Sequence, residues 1–163
     1  MKHILIIFIG TQLLFGQNIT WINNTPLIMS HSSPRSSDLN NDGIDDVVLG
    51  GGVDGFATPF GVIAIDGSNG TLMWNVETRN EMFTSPQFFD FSGDGIDDII
   101  IGGRDAELRL IDGSNGSVIW EFWSNDDLNP NDYGWYNFYS SQIIDDLNGD
   151  GLPEILTSNG GDH

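Results

Sequence analysis

Three short stretches concentrate the side chains able to do chemistry: "DLNNDGIDD" from Asp38, "DFSGDGIDD" from Asp90 and "DLNGDGLPE" from Asp146. In the first, Asp38, Asn40 and Asp42 stand at positions 1, 3 and 5, and Gly43 at position 6 permits a sharp turn. Ile44 at position 7 can offer its carbonyl, and Asp46 at position 9 closes the set. The second set is Asp90, Ser92, Asp94, the Ile96 carbonyl and Asp98; the third is Asp146, Asn148, Asp150, the Leu152 carbonyl and Glu154. Hard oxygen donors of this number suit Ca²⁺, which takes about 6 to 8 oxygens in forgiving geometry. Mg²⁺ prefers a small octahedral shell that keeps its waters, and zinc would want Cys and His. Three Ca²⁺ ions, one per loop, are expected.

An EF-hand opens in the same way, but it requires a bidentate Glu at position 12 and flanking helices. Position 12 here is Leu49, Ile101 and Thr157, inside β-branched runs that end in glycine. Acidic turns with no ion are the plainer reading, since Asp and Asn favour turns. Three copies that keep the donor positions while varying those between them argue for the ion.

The copies lie 52 and 56 residues apart, so the chain repeats. Between them "VIAIDGSNGTLMW" (62–74) matches "LRLIDGSNGSVIW" (108–120), each reading as a hairpin with alternating apolar residues about a Gly-rich turn. A serine precedes every acidic loop at one offset: Ser33, Ser85 and Ser141. The unit is strand, acidic loop, strand, connection, strand, turn, strand. Four short antiparallel strands recurring without helical periodicity predict an all-β chain, a β-propeller of four-stranded blades. A β-sandwich is the alternative, but sandwiches do not usually repeat their own sequence.

The expected division is a leader at 1–16, an N-terminal strand region at 17–31, and repeats at 32–84, 85–139 and 140–163, the last truncated. "ITWINNT" aligns with "LMWNVET" and "VIWEFWS", which makes residues 19–25 resemble the outer strand of a blade. Two units and part of a third fall short of the 4 to 8 blades of a ring, so the chain is expected to be the N-terminal piece of a longer protein.

"MKHILIIFIGTQLLFGQ" has a basic start, an apolar run and a small residue at Gly16, the layout of a secretory signal peptide. Its apolar run falls short of the roughly 20 residues that span a bilayer. Export to the surface, the periplasm or the medium is expected, with no transmembrane segment left after cleavage. Lys2 is the only lysine, so the mature part sets four arginines against 24 acids, a net charge of −20. Such a chain is repelled by phosphate backbones and anionic lipid, which excludes nucleic acid as a partner. There is no cysteine, so an exported fold must be cross-linked by something else. At a dissociation constant of about 10⁻⁴ M and roughly millimolar calcium, each site would add about 1.4 kcal/mol.

The three D-x-[NS]-x-D-G-x-x-[DE] loops, each followed by apolar residues and a glycine pair (Gly51 and Gly52, Gly102 and Gly103, Gly160 and Gly161), resemble the FG-GAP or VCBS-type repeats of bacterial surface proteins. These are related in architecture to the integrin α-chain propeller. The resemblance covers residues 32–163 and implies that each loop joins two strands of a blade and holds Ca²⁺. No Gly-Ala-Pro follows the loops, and Phe-Gly occurs only at Phe60 and Gly61. The "IDGSNG…W" hairpins are similar to the outer strands of quinoprotein-type propeller repeats, with Trp74 and Trp120 at repeat positions.

A binding or scaffolding module of a larger surface or secreted protein, in adhesion or glycan recognition, is the expected role. The alternative is the propeller part of a secreted enzyme, a polysaccharide lyase or a quinoprotein dehydrogenase. A catalytic carboxylate pair should be unique in a chain, whereas these acids recur in every unit, and no Ser/His/Asp grouping is visible. The expected ligand-binding residues are the aromatics Trp123, Tyr133, Trp135, Tyr136 and Tyr139, because exposed rings suit the faces of sugars or a protein ligand.

Overall fold

The computed structural model describes residues 20–24, 28–122 and 137–160. Every regular element among them is a strand: β1 (Arg35–Ser37), β2 (Asp46–Gly50), β3 (Thr58–Ile65), β4 (Leu72–Thr78), β5 (Gln87–Phe89), β6 (Asp98–Gly102), β7 (Leu108–Ile111), β8 (Val118–Phe122), β9 (Asn137–Ile144) and β10 (Glu154–Gly160). Each acidic loop joins the first two strands of a sheet. β1-β2-β3-β4 form the first sheet and β5-β6-β7-β8 the second, both in sequence order and antiparallel, while β9 and β10 form a third of two strands. Among the described residues no helix is long and apolar enough to cross a membrane.

Register repeats along with order. Val48 faces Ala64, which faces Trp74; in the second sheet Ile100 faces Leu110, which faces Trp120. Both sheets carry a register shift just before the glycine-rich turn, at Ala64/Ile65 and Leu110/Ile111.

The period of two along a strand sends neighbouring side chains to opposite faces, and this explains the isoleucine run of β6. Ile99 and Ile101 join Ile111 in a core with Val48, Val62, Ala64, Trp74 and Val76 of the first sheet. Ile100, Leu108 and Leu110 pack the other way, with Phe138 of β9 and half-buried Ile155 of β10. The second sheet is therefore covered on both faces and β6 is buried throughout, as continuous apolar strands require. Full burial of one such isoleucine contributes about 1.5–3 kcal/mol.

The glycines that end β2 and β6 let the next connection pass close by. A Cβ on Gly50 would lie 2.9 Å from the Met82 carbonyl carbon, and one on Gly102 2.8 Å from the Phe138 Cβ. The Met82 amide donates to the Gly51 carbonyl at 2.9 Å, and the Phe138 amide to Gly103 at 2.8 Å. On the neighbouring residues the Gly52 amide donates to Met29 and the Arg104 amide to Glu81.

Two boundaries differ from the expectation. Residues 20–24 form no strand, although Trp21 sits where an outer-strand tryptophan would. Its indole Nε1 donates to the Gly67 carbonyl at 2.7 Å, as Trp74 Nε1 does to Gly113 at 2.8 Å, and a Cβ on Gly70 or Gly116 would meet those rings at 2.6 and 3.0 Å. The tryptophan contact needs no ladder around it. β9 in turn crosses the expected boundary at 139/140, because its first residues stay paired with the end of β10 beyond a bulge at Ser158/Asn159.

Candidate calcium loops and their surroundings

All three loops close on their first aspartate. The Asp42 and Gly43 amides donate to Asp38 at 3.2 and 2.9 Å. Gly93, Asp94 and Gly95 donate to Asp90 at 2.6, 3.1 and 2.9 Å, and Gly149 and Gly151 to Asp146 at 2.6 and 2.9 Å. Side-chain oxygens at positions 3 and 5 turn the backbone locally: Asn40 and Asn148 accept from the amides of Asp42 and Asp150. Asp42, Asp94 and Asp150 accept from Ile44, Ile96 and Leu152. The Ser92 hydroxyl makes a long 3.4 Å contact to Asp90 and also supports the Asp98 carboxylate. Position 4 requires positive φ, and Asn41 (59°), Gly93 (76°) and Gly149 (84°) supply it, which explains why only Asn or Gly stands there.

The ninth position lies deepest. Asp46 and Asp98 are buried at 0% and 1% exposure, and Glu154 is half-buried. Asp46 accepts from the Leu39 amide and from the Gly67 amide, both at 2.9 Å, so it ties the acidic loop to the glycine-rich turn 21 residues on. Asp98 accepts from the Ser92 amide at 2.8 Å, and Glu154 from Leu147 and Asn148 at 2.7 and 3.2 Å. Asp98 Oδ1 is buried without a hydrogen bond of good geometry, although the Gly113 amide beside it still favours its charge. Sequence reasoning missed the tie between loop and turn. Its signal was the identical Asp-Gly of both turns, where a Cβ on Gly67 or Gly113 would run into the carbonyl of Asp45 or Asp97.

Electrostatics divides the loop acids. Burial raises the pKa of Asp46 against the help of the Gly67 and Leu39 amides, and nearby Asp66 and Asp42 add repulsion. Burial likewise raises Asp98. Asp90 feels burial too, but the Gly95, Gly93 and Asp94 amides outweigh it and hold it below its ordinary value; the Gly149 and Gly151 amides do the same for Asp146.

The donor set is one of oxygens only and includes a buried carboxylate oxygen without a good partner, which suits a hard cation. Among the described residues no three His, Asp or Glu side chains converge as a metal-holding group. The first and ninth acids are instead turned onto loop amides.

The positive charges lie elsewhere. Arg109 Nη2 reaches Glu107 Oε1 at 2.6 Å, Arg104 reaches Glu81 at 2.9 Å, and Arg79 pairs with Glu121. His31 also bonds Glu81. Glu107, at 0% exposure, is pushed up by burial despite Arg109 and Arg79. None of the ion pairs among the described residues reaches a loop carboxylate.

Of the expected ligand-binding aromatics, Trp123, Tyr133, Trp135 and Tyr136 lie outside the described residues. Tyr139 is 56% exposed on β9, its ring 5.7 Å from that of Phe83. It borders a hydroxyl-rich cleft of about 230 Å³ with Ser85, Gln87, Ser140, Ser141 and Gln142.

Comparison with protein-family models and with curated proteins gave no match.

Proposed function

We propose that the chain is an exported calcium-binding β-propeller repeat module that serves binding or scaffolding within a larger surface or secreted protein. The observation that carries this reading is the charge balance of the loops. Three loops of one design gather acids, bury the ninth position fully in two and partly in the third, and receive no ion pair among the described residues, so a cation from solution would supply their counter-charge. A divalent cation turns carboxylate repulsion into a cross-link. Asp38, Asn40, Asp42, the Ile44 carbonyl and Asp46 would hold it in the first loop, with their counterparts in the other two.

The successive sheets, each packed on the next through apolar faces, are what serial blades of a propeller would present. For the ligand, the hydroxyl-lined cleft beside Tyr139 fits a sugar, whose face stacks on an aromatic ring while its hydroxyls meet serine and glutamine.

Calorimetry of the mature chain with Ca²⁺ tests the ion. Three sites at roughly millimolar calcium would add about 4 kcal/mol. A melting temperature unchanged between calcium and a chelator would refute the reading.

A further inference from the structure

Ser37, Asp38 and Leu39 are consecutive, and the two outer residues of the three are held by the second sheet. The Ser37 hydroxyl, at the end of β1, donates to Asp97 Oδ2 at 2.6 Å. Leu39 is buried at 1% exposure in the core shared by the first two sheets, and a Cβ on Gly113 would lie 2.9 Å from its Cδ2. Asp38, between them, is the residue on which the first acidic loop closes. The places that Ser37 and Leu39 reach are those that support the second loop. Asp97 immediately precedes buried Asp98, whose Oδ1 has no hydrogen bond of good geometry. Gly113 lies against the Asp97 carbonyl, and its amide favours the charge of Asp98. Leu39 also reaches back into its own loop, where its amide donates to Asp46 at 2.9 Å. One path therefore runs from Asp46 through Leu39 and Gly113 to Asp98, and a second from Asp38 through Ser37 to Asp97. The next junction is built differently. Phe89 stands opposite Asp98 as Ser37 stands opposite Asp46, and position 8 of the third loop is Pro153, so no hydroxyl and carboxylate meet there.

We infer that Ser37 and Leu39 are positioning residues for the second calcium loop, so that the first two loops fill cooperatively while the third stands outside this coupling. The inference rests on the calcium reading of the loops and adds a link between them. Once Asp38 and Asp46 share an ion, the chain between β1 and β2 is fixed, and Ser37 and Leu39 are held against Asp97 and Gly113. The second loop then binds with less ordering left to do, which is positive cooperativity without any change of fold. Linkage makes the effect reciprocal: each loop must strengthen the other by the same factor.

The test is a calcium titration of the ¹⁵N-glycine-labelled mature chain, followed by NMR at the amides of Gly43, Gly95 and Gly151, each of which donates to the first aspartate of its loop. Asp42→Asn removes charge from the first loop, while its side-chain oxygen can still accept from the Ile44 amide. Calcium affinity read at Gly95 should then fall about fivefold or more, with Gly151 unchanged. Asp94→Asn, which keeps the bond from Ile96, should lower the affinity read at Gly43 by the same factor. Adding Ser37→Ala should shrink both effects, and melting curves in chelator confirm that these variants fold. A change at Gly95 below about twofold, an equal loss at Gly151, or full coupling in Ser37→Ala overturns the inference and leaves calcium binding intact. Glycine amides that do not respond to calcium at all overturn the inference together with the calcium reading.

Discussion

Replacing Gly67 by alanine should break the molecule where its two sequence motifs interlock. Gly67 is not at positive φ, so the backbone accepts alanine and the cost is steric. The added Cβ would run into the Asp45 carbonyl oxygen, lie 2.9 Å from its carbon and 3.4 Å from Ile44 Cγ2. Backbone rather than a flexible side chain is in the way, so turn and loop must separate. Overpacking of this kind costs about 1–3 kcal/mol. Separation also strains the 2.9 Å bond from the Gly67 amide to the buried Asp46 carboxylate, a charge-assisted bond of about 1.5–3 kcal/mol. The sum is about 2.5–6 kcal/mol, or roughly 5–24 °C in melting temperature for a chain of this size. Gly55→Ala is the control: its φ is +82° with nothing within 4 Å of the added Cβ, so only backbone strain of about 1–2 kcal/mol applies. Melting curves by circular dichroism in chelator measure both. Equal shifts for the two variants, or a Gly67→Ala shift below about 4 °C, would refute the steric argument.

Trp74→Phe leaves the buried Gly113 carbonyl without its 2.8 Å donor and should cost about 1–3 kcal/mol, while Trp120→Phe should stay within about 0.5 kcal/mol; denaturant titration compares them. Arg109→Met removes the 2.6 Å partner of fully buried Glu107 and should cost about 3–5 kcal/mol, restored in part by adding Glu107→Gln, in a double-mutant cycle by urea unfolding. In chelator, stability should rise as pH falls toward 4.5 and be lost again below 3.8. Glu107 is raised above 4.5 by burial, so the folded state binds its proton more readily and gains stability as pH falls through that raised value. Asp66 and Asp112 are lowered below 3.8, Asp66 chiefly by Ser68 and Asp112 by Ser114 and Asn115 against burial, so their contribution is present above that value and lost below it. Melting temperature against pH, with Glu107→Gln removing the rise on mild acidification, checks the assignment.

Strand type and order were legible because each unit states them locally. The alternation around "IDGSNG" sets a hairpin, and the positive-φ positions of the acidic loops are written as Asn or Gly. The buried arginine and glutamate cluster was not legible. Glu107, Arg109 and Glu121 meet within the second sheet, Arg109 opposite Glu121 across β7 and β8, and Arg79, just after β4, joins them only because the first sheet packs on the second. Nothing in their spacing marks Glu107 as buried, since β7 alternates as any half-exposed strand would. The tie from Asp46 to Gly67 escaped for the same reason: it depends on β2 and β3 lying side by side, with both ends of the bond inside motifs that each made sense alone.

The two tryptophan contacts are directional. Each is given by the end of one sequence unit and received by the turn of the next, so a unit carries a plug at one end and a socket in its middle. An in-frame duplication of about 50 residues copies both halves at once, and the new unit fits its neighbours on either side without any compensating change. The molecule can lengthen as a cassette array, one plug and one socket at a time.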